Sequence, residues 1–316
     1  MSRSPHPVGR AGRSAIAVVA GFVLAVGGVA GQEAWFVENL GPPVNTETSE
    51  AFPTIAADGL VLYFARRTSG SVEGESVRSW DLWVAERETP DGEWSEPRRL
   101  PDHINTVEGD EHSVSVSPDG HWLYFSSTAL GSRGSFDIFR SYREDVSDPL
   151  DWGEPENLGD AVNTAAAEVC VIYHAEEGAG TVHLYFVSDR EGSMGHLDVW
   201  RIEYDPTTET YSEAEPVTAV NSPAFDGHLD PLAGYVWSSR EGSMGRDDIW
   251  FAPRDSEGNW LTPVHAGPGL NTEYGEGLPS PLDSSGDVLF FSSNRPGGAG
   301  GSDLYVAVRG SDGSRD

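Results

Sequence analysis

The chain contains no lysine and only one cysteine, Cys170, in 316 residues. A single cysteine excludes an internal disulfide, so packing must hold the fold even in an oxidising compartment. Positive charge is scarce: 20 arginines face 51 acidic residues, for a net charge of −31. Such a surface repels nucleic acid and anionic lipid, and favours cations, basic partners and solubility. Long apolar runs are also missing, except one from Ala15 to Ala30. That run is shorter than the roughly 20 residues that span a bilayer. It follows Arg3, Arg10 and Arg13, contains no acid and ends in small residues at Gly28 and Ala30, the pattern of a secretory signal peptide over residues 1–30. No cysteine follows it to carry a lipid. The expectation is one domain over 31–316, monomeric, with no membrane span after cleavage, in the periplasm or outside the cell. P-loop, nucleophile-elbow and zinc-protease signatures are absent.

What the chain does contain is one phrase written five times. An Asn opens each copy, at Asn45, Asn105, Asn163, Asn221 and Asn271; subtraction of residue numbers gives spacings of 60, 58, 58 and 50. An Asp followed by an aliphatic and then a bulky residue closes the central part, as in Asp137-Ile138-Phe139 and Asp303-Leu304-Tyr305. A fixed period of this size means a stacked or radial array whose units cannot bury their apolar faces alone. In the second copy the alternation His112-Ser113-Val114-Ser115-Val116, the turn Pro118-Asp119-Gly120 and the run Trp122 to Ser127 read as two strands and their turn. Asp137 to Tyr142 reads as a third strand, and Trp152 onward as a short outer one whose Pro155 an edge tolerates. Outer strands are expected to start at Trp94, Trp152, Tyr211 and Trp260. Four antiparallel strands per copy describe a propeller blade. The fifth copy lacks its outer strand, and Trp35 to Gly41 at the other end of the chain supplies one. The fold expected is therefore all-β, a five-bladed propeller closed by an N-terminal strand that completes the last blade and leaves no open edge.

The stretch Ser292-Ser293-Asn294-Arg295-Pro296-Gly297-Gly298, continuing to Asp303-Leu304-Tyr305, resembles the WD40-like repeats called PD40, and Ser117-Pro118-Asp119-Gly120 resembles their turn. The resemblance covers nearly all of the chain after residue 30. It implies a TolB-like propeller of the cell envelope, without room for a peptidoglycan-binding domain.

Five residues after each opening Asn stands an acid in every copy: Glu50, Asp110, Glu168, Asp226 and Glu276. First strands line a propeller's channel, so these five are expected to ring one mouth. Crowded carboxylates raise one another's pKa and invite a cation, Ca²⁺ or a basic group. The bland alternative is that each accepts backbone N–H bonds and fixes its blade, and five-fold repetition favours it. Two residues on come Phe52, His112, Cys170, His228 and Leu278. His112, Cys170 and His228 carry ligand-type atoms, but buried His and Cys are common, and neither a metal site nor a catalytic residue is assigned. Arg190, Arg240 and Arg295 each precede an Asp by eight residues, at Asp198, Asp248 and Asp303, and are expected to grip it; Thr128 stands where the second copy would carry its Arg.

The function expected is a binding module for an envelope protein, peptide or glycan at the acidic mouth, using Glu50, Asp110, Glu168, Asp226, Glu276, His112 and His228. The alternatives are a polysaccharide-acting glycoside hydrolase, similar to arabinanases in its five blades and channel carboxylates, and a structural envelope protein. Glycosidic cleavage needs two carboxyls in unlike environments. Because these acids occupy equivalent places, the sequence leans against an enzyme.

Overall fold

A computed structural model describes residues 34–72, 75–107, 109–129, 131–175 and 182–310. The segment read as a signal peptide lies outside them. Among the described residues there is no helix element, only strands and turns. The strands form five antiparallel sheets, four of them running in chain order from an inner to an outer strand, and the protein is a five-bladed β-propeller.

Blade 2 shows the plan. Glu111–Val116 pairs with Trp122–Ser127, which pairs with Asp137–Tyr142, which pairs with the two-residue strand Glu156–Asn157. The apolar residues of the middle strands, such as Leu123, Phe125, Ile138 and Phe139, are buried between neighbouring blades. The aromatics expected to open outer strands serve differently. Those strands begin about four residues later, at Arg98, Glu156 and Val264, and at Glu215 in blade 3, where Tyr211 lies in a further two-residue strand. Trp94, Trp152 and Trp260 instead lie under the guanidinium groups of Arg87, Arg143 and Arg254, at 4.3, 4.3 and 3.8 Å from the ring centres. Each ring face attracts the guanidinium above it through its quadrupole.

Ring closure follows the expectation. Trp35–Asn39 is the outer strand of blade 5, antiparallel to Asp303–Arg309, with Trp35 opposite Arg309 and Asn39 opposite Tyr305.

The two repeated marks tie neighbours together. Each Asn side chain replaces a strand partner for the residue after the previous blade's Asp. Asn163 accepts the Ile138 N–H at 2.8 Å and donates to the Ile138 carbonyl at 2.9 Å, and Asn45, Asn105, Asn221 and Asn271 do the same for Leu304, Leu82, Val199 and Ile249. The Asp of four blades accepts backbone N–H groups of the loop before it, as Asp303 does from Ala299 at 2.6 Å and Gly300 at 3.0 Å. These Asp residues are therefore not the partners of Arg190, Arg240 and Arg295.

Candidate functional site

Those arginines reach the acids of the first strands instead. Arg190 Nη2 lies 3.0 Å from Glu168 Oε1, Arg295 Nη2 lies 3.2 Å from Glu276 Oε1, and Arg240 pairs with Asp226. Each also donates to a carbonyl in the turn after the previous blade, that of Val162, Val220 or Leu270. In blade 1 Arg66, directly across the strand pair from Glu50, does the same work at 3.0 Å. Each carboxylate further accepts the N–H and hydroxyl of the residue after the opening Asn, as Glu168 does from Thr164 at 2.9 and 2.7 Å. Thr46, Ser222 and Thr272 serve Glu50, Asp226 and Glu276 in the same way.

Glu50, Glu168, Asp226 and Glu276 are fully buried, so they are not presented at a mouth. Asp110 is not the fifth member. The turn of the second copy is one residue longer, and Glu111 takes the place, bonded to Thr106 and Ser127, while Asp110 accepts the Trp80 N–H at 2.8 Å. Counting from the Asn missed this shift. The place corresponding to Arg190 is Ala129, not Thr128: its N–H caps Ser127 as the Arg190 N–H caps Ser188. With no guanidinium beside it among the described residues, Glu111 is pushed by burial up to about 7.

The same shift separates the residues expected beside the acids. The position two beyond the acid is held by Phe52, Ser113, Cys170, His228 and Leu278, and four of these have φ between 53° and 59°, at a bulge that recurs in the inner strands. His112 lies one place earlier, stacked on Phe52 at 4.5 Å and packed on Phe136 at 4.4 Å, sharing a 2.6 Å hydrogen bond with Ser113 Oγ. His228 donates from Nε2 to the Pro279 carbonyl at 3.0 Å. Burial drives His112 down to about 3 and His228 to about 4, and raises Cys170 to about 12, so all three are neutral near pH 7. Among the described residues no group of three His, Cys, Asp or Glu side chains could hold a metal ion.

Space for a ligand opens at the other end of the inner strands. A cavity of about 610 Å³ is lined by residues 52–58, 113–120, 170–175, 228, 230–232 and 278–282, together with part of the 143–149 turn. At its depth the position four beyond the acid is Thr54, Ser115, Ile172, Asp230 and Ser280, so blade 4 alone places a carboxyl there. Asp230 Oδ1 accepts the Leu232 and Ala233 N–H groups at 2.9 and 3.4 Å. Among the described residues nothing donates to its Oδ2 and no cation pairs with it. Burial raises its carboxyl to about 7 against those two N–H bonds. Asp58 and Asp119 stand at the rim. Partial burial would raise Asp119, but Ser117 Oγ at 2.6 Å and the His121 N–H outweigh it and hold the carboxyl below its ordinary value. The cavity thus holds carboxyls in unlike environments, which the repeated acids do not supply. The sequence signal was available: Asp230 breaks a position that is otherwise small, hydroxylic or aliphatic.

No family model and no curated protein matches the sequence. Solved structures share the fold. A family 117 glycoside hydrolase of the marine bacterium Zobellia galactanivorans superposes with a TM-score of 0.55 at 15% identity, over 90% of this chain and 92% of that one. The catalytic domain of a GH62 α-L-arabinofuranosidase from Coprinopsis cinerea gives 0.57 at 12%, over 88% and 97%. An α-L-arabinofuranosidase from Lactobacillus brevis gives 0.54 at 12%, over 86% and 93%. These likenesses establish the five-bladed propeller and do not single out the WD40-like repeats. They overturn the leaning against an enzyme: repetition of the buried acids says nothing against catalysis once those acids are structural and the same architecture carries glycoside hydrolases.

Proposed function

We propose that the protein is a glycan-acting propeller that hydrolyses a polysaccharide held in the 610 Å³ cavity. The observation that carries this reading is Asp230, among the described residues the one buried carboxyl in the lining of that cavity, with an oxygen to which none of them donates. The shared architecture of the glycoside hydrolases supports it. In such a reaction one carboxyl, protonated, gives its proton to the glycosidic oxygen, while a second, ionised, takes a proton from the attacking water or attacks the sugar itself. Asp230 in the cavity wall and Asp58 and Asp119 at its rim are the candidates for this pair. Export by the segment over residues 1–30 would place the protein where polysaccharides are, and the PD40-like repeat remains our reading of its lineage.

Incubation with neutral, acidic and amino polysaccharides, followed by analysis of released oligosaccharides, tests the activity. Asp230→Asn is expected to lower turnover by roughly 10² to 10⁴-fold. A glycan bound but never cleaved would replace hydrolysis by binding alone.

A further inference from the structure

We propose that the cavity selects a glycan bearing free amino groups, with Asp230 as the counter-charge of a protonated sugar amine. This rests on the glycan-acting reading and names the substrate class.

Charge around the cavity is lopsided. Asp230 is only 8% exposed and no cation pairs with it among the described residues, whereas four of the five buried first-strand acids lie against a guanidinium. A lone buried carboxylate is costly to ionise, and a ligand cation that hydrogen-bonds it removes that cost. The one guanidinium in the lining, Arg143, is turned to the wall. Its Nε donates to the Gly120 carbonyl at 2.7 Å, its Nη1 to Tyr63 Oη at 3.2 Å and to the Asp148 carbonyl at 3.0 Å, and its plane rests on Trp152. Nothing places it on Asp230.

At the rim, Glu86 is neutralised by Arg98 at 2.6 Å, but Asp58 and Asp119 are exposed and make no ion pair among the described residues. With a net charge of −31 and no lysine, the field at the entrance draws cations in and opposes a uronate or sulfated chain. An ammonium offers three donors: one suits Asp230 Oδ2, and the hydroxyls of Thr54, Ser115 and Ser280, each holding one bond to a neighbouring blade's backbone, also line the cavity. Between these polar points the lining carries the partly exposed apolar side chains of Phe52, Val116 and Ile172, as the faces of sugar rings require.

The test is calorimetric binding of the intact protein to glucosamine oligosaccharides, their N-acetylated counterparts and galacturonate oligosaccharides, with a lysine-rich peptide as control. Tightest binding of the glucosamine oligomers, weakened by salt, is expected. Asp230→Asn should cost that ligand roughly ten- to a hundredfold and the N-acetylated one much less, since hydrogen bonds to a charged partner carry about 1.5–3 kcal/mol. Thermal melting of the variant separates a lost contact from a lost fold. Equal binding of the amino and N-acetylated oligomers, or of glucosamine oligomers by wild type and variant, overturns the amine selection and leaves the glycan reading standing. Binding of the peptide without any glycan overturns both.

Discussion

At the residue scale, the buried acids are alike in position but not in compensation, and the difference is measurable. Glu168 is fully buried beside Arg190, so Glu168→Gln leaves a guanidinium without its counter-charge and is expected to cost about 3–5 kcal/mol in urea unfolding at pH 7. Glu111 has no such partner, and Gln can keep its bonds to Thr106 and Ser127, so Glu111→Gln should cost about 1 kcal/mol or less. Equal losses in the two variants would refute the assignment of Ala129 as the vacant arginine place. The opening asparagines were legible in the sequence as marks but not as bonds. Their two-handed grip on Leu82, Ile138 or Ile249 needs an amide with a donor and an acceptor. Asn163→Asp, which lacks the donor, should therefore destabilise by about 1–3 kcal/mol.

At the scale of elements, the loop between second and third strands reaches across to the next blade and leaves no room there. A Cβ on Gly245 would run into the Tyr274 carbonyl oxygen, and one on Gly300 into that of Thr48. Gly245→Ala must push two blades apart and is expected to lower the melting temperature by several degrees, while Gly297→Ser, where a side chain meets nothing within 4 Å but φ is 98°, should act through backbone strain alone. Closure is the other element-scale device. Deleting residues up to Leu40 removes the strand that pairs Trp35 to Asn39 with Arg309 to Tyr305, and exposes the edge of Asp303–Arg309. Loss of a single cooperative unfolding transition and concentration-dependent association in sedimentation are the expected results; an unchanged, monomeric transition would show that the ring does not depend on its closing strand.

At the scale of the whole molecule, charge and pH act together. Burial raises Glu111 from 4.5 and Asp230 from 3.8 to about 7, so between those values the folded chain holds protons that the unfolded chain has released. Their contribution is complete below about pH 4 and is lost as pH rises through about 7. The double variant Glu111→Gln, Asp230→Asn should gain on wild type in melting temperature from pH 5 to pH 7.5, and a pH-independent difference would refute the shifts. The sequence by itself determined the number of blades, their strand order and their closure, because a period, a turn and a missing outer strand are local patterns that only one ring can satisfy. Only the tertiary structure decided which acids line the cavity. The repeated carboxylates turn out to be bonded inward to Thr, Ser and Arg across blade boundaries, and the unpaired one, Asp230, lies in a cavity that exists only once five inner strands are set side by side. Burial and pairing depend on neighbours from other blades, and spacing along the chain carries no record of them.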